Sequence, residues 1–407
     1  MSIRAAQSDN LWTETPLVYS SHISDIIGCS AYLKLENLQP SQSFKYRGIS
    51  KFAQQCKEKH GPSVHLMIAS GGNAGLAAAV AARALGVKCT VFLPINISNE
   101  TQQALRKHGA DVVTIGEVYS QTLAALRDAV KKEINGVLVP AYDSPVCWDG
   151  HSSMVTEMQK QLPRQPDAIF CSVGGGGLIG GIIQGCKNVG WDEVPIVALE
   201  TTGSNCFYNA IAINTQDFTS KVPIIPSTEV EDSSPYTIEI VGEYNVAIPH
   251  MKSLKSRAAS LGATSPAAGV VRMAVDRAGG IKCVCVSDEM AMRTARLFGG
   301  ESPCDVKRYA NAITTLPDDH KMLTELACST TLTPGYNREF LSHILGPKFS
   351  ALSPEERKEK CLVFVVCGGV KISFEEMREF EEIVAAAQVE NSWRVQIDGE
   401  EIQVPKQ

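Results

Sequence analysis

Residues 31–36 alternate apolar and polar side chains, from Ala31 to Glu36, with the two-residue period of a half-buried strand. Pro40 breaks the chain after it. Ser41 or Ser43 can cap a helix that carries Tyr46, Ile49 and Phe52 on one face. The alternation of strand and helix then continues. Strands are predicted at 65–70, 88–93, 111–115 and 137–139, and helices at 76–85, 100–107 and 118–133, the first of these stopped by Gly86. That order predicts a parallel α/β sheet of about 100 residues. A second alternating unit has a helix at 154–162, a strand at 167–173, a helix at 178–186 and a strand from Val194 that ends at Glu200.

Past residue 211 the pattern fails. Residues 214–249 are rich in proline, acids and serine and predict a long loop or insertion. Helices are predicted at 251–260, 266–277 and 288–297, with a strand at 282–286. Residues 298–316 form a second irregular stretch, also expected to be an insertion. A helix at 322–332, a buried strand at 362–367, a charged helix at 374–389 and a hairpin at 393–404 turning at Gly399 complete the chain.

Composition narrows the function classes. At 407 residues the chain is long enough for two or three domains of roughly 150 residues. The formal charge of −6 gives no support to a nucleic-acid partner. No apolar run approaches the roughly 18 residues of a membrane helix, and the N-terminus has no apolar signal core. The 13 cysteines lack paired metal-site spacing. All are expected to be reduced, in a cytoplasmic protein. Cys283 and Cys285 should face one side of a sheet.

Three features carry chemistry. Lys45 falls in the first turn of the helix after Pro40, where the helix dipole disfavours an ammonium and lowers its pKa. A lysine needed as a neutral amine gains from that position, although taken alone it reads equally as a solvated surface residue. The turn Ser70-Gly71-Gly72-Asn73-Ala74-Gly75 joins a strand to a helix and leaves N–H groups open to an anion, or to water. The run Gly174-Gly175-Gly176-Gly177 does the same, and four glycines imply that the backbone approaches something closely. Gly175, Gly177 and Gly180 also match the dinucleotide fingerprint, with Glu200 about 20 residues on, so a nicotinamide or flavin enzyme competes here. Two anion turns and a placed lysine fit better with one phosphorylated aldehyde cofactor. One turn would hold its phosphate, the other a substrate carboxylate, and the lysine would hold the aldehyde as an imine.

Four motifs carry a resemblance. They are Ser43-Phe44-Lys45-Tyr46-Arg47-Gly48, the 70–75 turn, Gly174 to Gly177 with Leu178, and Val366-Cys367-Gly368-Gly369. In this order they resemble the fold-type-II pyridoxal-phosphate enzymes, and the likeness is to the eukaryotic L-serine/L-threonine dehydratases over roughly residues 14–210 and 250–380. The resemblance implies a tryptophan-synthase-β-like α/β fold of two domains with parallel or mostly parallel twisted sheets flanked by helices. The larger, cofactor-binding domain would comprise 1–44 and 152–407, and the smaller, substrate-carboxylate-binding domain 45–151. It further implies that Lys45 carries pyridoxal 5'-phosphate as a Schiff base, with Phe44 against the cofactor face and Asn73 on the ring oxygen. Gly174, Gly175, Gly176, Gly177 and Leu178 would hold the phosphate. Ser260 would cover the opposite ring face, and Cys367, followed by Gly368, would face the pyridine nitrogen. Ser70, Gly71, Gly72, Asn73 and Ala74 would seat the substrate carboxylate. Glu200 and Ser204 resemble a monovalent-cation site for K+ or Na+.

On sequence alone Cys367 is a buried strand cysteine. If it meets the ring nitrogen, it cannot hold a proton there as a carboxylate would. The ring is then a weaker electron sink, which argues for β-elimination over transamination. Some positions depart from the family. Gln42 stands where relatives commonly have glycine, and Ala74 where threonine deaminases have histidine. After Ser373 only about 34 of the 407 residues remain, too few for the regulatory domain of biosynthetic threonine deaminases. His151 and Asp149, expected just before a helix, read as capping and packing residues, with a general base as the alternative for His151. The expected activity is deamination of L-serine, L-threonine or a related β-hydroxy amino acid to a 2-oxo acid and ammonia, by a homodimer. Three alternatives remain open: another reaction on the same scaffold (β-replacement, racemisation, or elimination from a modified amino acid), more distantly a dinucleotide oxidoreductase, and a catalytically inactive scaffold or binding protein, against which the intact Lys45 argues.

Overall fold

The computed structural model describes residues 10–215, 234–300, 321–387 and 391–406. Its strands are β1 (Leu17–Tyr19), β2 (Ser30–Leu35), β3 (His65–Ala69), β4 (Lys88–Leu93), β5 (Asp111–Thr114), β6 (Gly136–Leu138) and β7 (Ala168–Ser172), followed by β8 (Ile196–Thr201), β9 (Tyr236–Val241), β10 (Val246–Met251), β11 (Ile281–Val286), β12 (Cys361–Val366), β13 (Ser392–Ile397) and β14 (Glu400–Pro405). The helices are α1 (Ser21–Ile27), α2 (Lys45–His60), α3 (Asn73–Leu85), α4 (Asn99–Lys107), α5 (Tyr119–Lys132), α6 (Pro145–Gln161), α7 (Gly177–Asn188) and α8 (Cys206–Asn214). They continue with α9 (Ala268–Val275), α10 (Asp288–Phe298), α11 (Leu326–Leu332), α12 (Arg338–Leu345), α13 (Pro347–Ser350), α14 (Pro354–Lys358) and α15 (Phe374–Ala386).

Two main sheets result. The smaller has four parallel strands in the order β5-β4-β3-β6, over a core of its own that includes Ile68, Leu76, Val91 and Leu93. The larger has eight strands in the order β1-β2-β12-β7-β8-β11-β13-β14. Its central pairings, from β2 to β11, are parallel, and antiparallel strands close both edges. β12 lies between β2 and β7, and every residue of Cys361–Val366 is buried. That is why this strand reads as an unbroken apolar run rather than an alternating one.

The expected alternation is present, with several corrections. Neither Ser41 nor Ser43 caps α2; Phe44 occupies the cap position, and both hydroxyls are buried without a partner among the described residues. The helix expected at 154–162 begins at Pro145, so Asp149 and His151 lie inside α6 and not in a turn before it. Part of the expected 214–249 loop is a hairpin of β9 and β10, in which Pro249 pairs with Ile238. The helix expected at 251–260 is absent: β10 ends at Met251, and only a single 3-10 turn, Ala259–Leu261, follows. From residue 301 onward the stretch expected to be an insertion, 298–316, lies outside the described residues. Among the described residues no helix is long and apolar enough to cross a membrane.

Two contacts fix where α2 lies. A Cβ on Gly48 would come within 2.5 Å of the Cys147 carbonyl, and one on Gly150 within 2.7 Å of the Arg47 carbonyl. Glycine at both positions lets the backbones of α2 and α6 approach closely. Beside this crossing lies a buried charge cluster. The Arg47 guanidinium donates to both oxygens of Glu36 at 2.7 and 2.8 Å and to both oxygens of Glu157 at 2.6 and 2.7 Å. Lys34 Nζ donates to Glu157 Oε2 at 2.6 Å and to the Thr15 carbonyl at 2.7 Å. Two cations and two anions share the cluster, so the charges balance inside the protein.

Candidate active site

Lys45 is the first residue of α2. Its Nζ donates to the Ala141 carbonyl at 2.6 Å and lies 5.2 Å from the Phe44 ring and 5.9 Å from the Tyr142 ring. Burial lowers its pKa to about 8, opposed in part by the Cys147 and Cys367 thiols. Desolvation thus does what the sequence reading assigned to the helix dipole. The segment before it is held against the end of β12. Phe44 N–H donates to the Cys367 carbonyl at 3.0 Å, and Gly369 N–H donates to the Gln42 carbonyl at 2.8 Å. Gln42 takes a left-handed φ of 61°, which explains why glycine suits that position. A Cβ on Gly368 would come within 2.3 Å of the Gln42 carbonyl, so this pairing requires glycine.

The 174–177 run links β7 to α7. Among the described residues, the N–H groups of Gly174, Gly175, Gly176 and Gly177 have no acceptor, since the first bond of α7 runs from Gly180 to the Gly176 carbonyl. Gly176 has a φ of 95°, and Leu178 is buried in α7. Tyr142, which the sequence reading missed, joins this run to Lys45: a Cβ on Gly175 would come within 2.5 Å of its ring, and one on Gly177 within 3.1 Å of its Cβ. A helix N-terminus with four open donors fits a phosphate.

At the 70–74 turn, β3 ends at Ala69 and α3 begins at Asn73, with no side-chain cap. The N–H groups of Gly71, Asn73 and Ala74 have no acceptor among the described residues. Ser70 Oγ accepts a long bond, 3.4 Å, from Gly72 N–H. Asn73 Nδ2 donates to Glu325 Oε1 at 3.1 Å and Oε2 at 3.2 Å, and lies 3.4 Å from Ser260 Oγ. Its Oδ1 accepts from Val370 N–H at 3.2 Å. Glu325 is a second residue that the sequence reading missed. It is buried and also accepts from Ser260 Oγ at 2.6 Å and from Lys371 N–H at 2.7 Å. A Cβ on Gly369 would collide with its carboxylate, at 2.1 Å. A lone acid before a helix gives no signal of its own, but the glycine pair after Cys367 marks the space that it occupies.

Cys367 directly follows the buried strand β12, with Sγ 3.6 Å from Ser172 Oγ and 3.7 Å from the Gly368 carbonyl. The neighbouring Cys328 thiol is held well above its usual pKa by its hydrogen bond with Cys367 and by burial. His151 is buried in α6, accepts from Gly48 N–H at 3.2 Å through Nδ1, and packs 5.0 Å from the Phe44 ring. Burial, with Lys45 and Arg47 nearby, pushes its pKa well down, so the ring is neutral, and its contacts with Gly48 and Phe44 are packing contacts. Asp149 pairs with Lys51 and accepts from Gln184 at 3.2 Å.

Glu200 and Ser204 lie in one buried turn. Both carboxylate oxygens of Glu200 accept backbone N–H groups at the start of α8, from Phe207 at 3.0 Å and Tyr208 at 2.6 Å. Burial nevertheless holds its pKa well above the carboxylate range. An acid so enclosed cannot reach a ribose, which removes the support for a dinucleotide. Ser204 Oγ has no partner among the described residues.

The structure therefore gathers the four sequence motifs around one half-buried amine. Open N–H donors for two separate anions flank it, and the groups present fit a phosphorylated aldehyde cofactor. The family model for pyridoxal-phosphate dependent enzymes matches residues 9–313. The L-serine dehydratase/L-threonine deaminase of Bos taurus is 32% identical over 367 residues, which span 90% of this chain and 94% of that protein. A human serine dehydratase-like protein is 33% identical over 383 residues, spanning 92% and 95%. Among solved structures, a fungal L-serine ammonia-lyase from Rhizomucor miehei is similar at a TM-score of 0.72 and 28% identity, covering 92% of this chain and 99% of that one.

Proposed function

We infer the reaction from one premise: the chain belongs to the family of pyridoxal-phosphate dependent enzymes. We propose that it deaminates L-serine, L-threonine or a related β-hydroxy amino acid to a 2-oxo acid and ammonia. The observation that carries this reading is the half-buried Lys45 amine of lowered pKa, in one structure with two sets of free N–H donors. When bound, the cofactor supplies an aldehyde that condenses with amines and a ring that withdraws electrons.

The protein's own groups do the rest. Gly174 to Gly177 would hold the phosphate, and Phe44 and Ser260 would flank the ring. Asn73 would donate to the ring oxygen in place of its bond to Glu325. The 70–74 turn seats the substrate carboxylate, which fixes the α-hydrogen toward Lys45. Nζ of Lys45, poised near neutrality, takes that proton. The β-hydroxyl departs as water, and the enamine product hydrolyses to the 2-oxo acid and ammonia. The division of labour at residues 45 and 151, with cofactor on the larger sheet and substrate carboxylate on the smaller, is part of this proposal. So is a K+ or Na+ ion at Glu200 and Ser204, which the unpartnered Ser204 hydroxyl supports. A homodimer follows from the resemblance. A cytoplasmic location is supported by the twelve described cysteines, all buried and unpaired. The test is the visible spectrum of the purified protein, followed by a 2-oxo acid assay over an amino-acid panel. A protein that is colourless, or that racemises without releasing ammonia, defeats the proposal.

Variants at two positions test the site. Gly176→Asp puts a side chain at a φ of 95°, within reach of Val270, and a negative charge beside the phosphate donors. Cofactor affinity should fall roughly 100-fold. Equilibrium dialysis showing unchanged affinity would place the phosphate elsewhere. Cys367→Ser should keep elimination within about threefold, because a hydroxyl makes a similar neutral hydrogen bond. Cys367→Asp should lower it while a new long-wavelength band or slow racemisation emerges, since a carboxylate favours a protonated ring. Folded, cofactor-loaded Cys367→Asp that eliminates like wild type and shows no new band would reduce Cys367 to a core residue.

A further inference from the structure

Two main-chain N–H groups hold the loop after Gly369 in place: Val370 N–H donates to Asn73 Oδ1 on the turn at 3.2 Å, and Lys371 N–H donates to Glu325 Oε1 beside it at 2.7 Å. The Lys371 side chain then reaches across the start of α3. Its Cε and Nζ lie 3.3 and 3.4 Å from where a Cβ on Gly72 would stand, so the missing side chain of Gly72 is the space the ammonium uses. Among the described residues this ammonium has neither an acid nor a carbonyl as partner. A cation at the N-terminus of a 13-residue helix opposes the helix dipole. Lys371 is exposed, so water solvates its ammonium, and an anion seated on the turn would take the place of that water.

A second charge argues the same way. Glu325 lies against Asn73 and is already satisfied by Asn73, Ser260 and Lys371 N–H. A substrate carboxylate on the turn would meet this buried acid as a like charge. A neighbouring ammonium offsets that repulsion. We propose that Lys371 is a substrate-binding residue, whose ammonium clamps the α-carboxylate of the amino acid on the 70–74 turn. The proposal rests on the reading of that turn as the carboxylate seat.

The test uses the cofactor-loaded enzyme. L-Alanine has no leaving group, so its affinity is read from the change in visible absorbance. Ethanolamine, which lacks the carboxylate, is the control ligand. Lys371→Met should weaken L-alanine binding, and raise KM for L-serine and L-threonine, about tenfold with kcat within about twofold. Ethanolamine binding should be unchanged, and Lys371→Arg should restore most of the loss. Unchanged L-alanine affinity overturns the clamp. So does a loss confined to 3-hydroxyaspartate, which would assign Lys371 to a side-chain acid. Gly72→Asp separates the two readings, because it builds a carboxylate into the turn itself. If it weakens L-alanine while Lys371→Met does not, only the clamp fails. If cofactor-loaded Gly72→Asp binds L-alanine like wild type, the turn is not the seat.

Discussion

Replacing Lys45 by alanine is expected to abolish deamination, with a loss of at least about 1,000-fold, while the fold is kept. The side chain starts a helix whose register is set by Gly48 and Arg47, so its loss leaves the neighbouring packing intact. What disappears is the amine of lowered pKa. With a pKa near 8, about one amine in ten is neutral at pH 7, against fewer than about one in a thousand at an ordinary lysine value. The sign follows from that shift. The rate of cofactor capture should climb about tenfold per pH unit below 8 and level off above it, because only the neutral amine reacts. Borohydride reduction of the yellow enzyme should fix the cofactor on the peptide that contains Lys45. Label on another lysine, or undiminished deamination by Lys45→Ala, would end this reading.

Arg47→Met should cost about 3–5 kcal/mol of stability, the largest effect of any single change in the charge cluster. Arg47 is fully buried and donates to both oxygens of two carboxylates. Without it, Glu36 and Glu157 face each other with only Lys34 as a counter-charge. Arg47→Lys should recover part of the loss, since it keeps the charge without the two-pronged geometry. Because Lys45 lies two residues away, the cofactor-loaded fraction of Arg47→Met should fall along with the urea midpoint. A midpoint shift equivalent to less than about 1 kcal/mol would show that solvent or rearrangement compensates the exposed acids.

The strands were legible because parallel strands buried on both faces, β3, β7 and β12, leave apolar runs that nothing else in the chain imitates. The start of α6 was not. Its first turns contain Gly150 among Asp149, Ser152 and Ser153, which reads as a turn by propensity. The glycine is there because α2 leaves no room for a side chain, a fact that only the packed structure holds. The same limit hid Glu325 and Tyr142. Each is defined by what it touches, Asn73 and Ser260 for the first, the 174–177 run for the second, and neither contact is local in sequence. Lys45 and the glycine turns were found because they combine local geometry with residue type.

The place of β12 between β2 and β7 also orders events during synthesis. Strands β3 to β6 lie within residues 65–138, so the smaller sheet can assemble on the nascent chain by short-range crossovers. The larger sheet cannot close until Val366 has left the ribosome, because its second and fourth strands pair only through a strand made some 190 residues after β7. Until then β2 and β7 present unpaired edges, and the Phe44 N–H that anchors the lysine segment lacks the Cys367 carbonyl. A ribosome stalled before residue 361 therefore carries a chain that cannot retain cofactor.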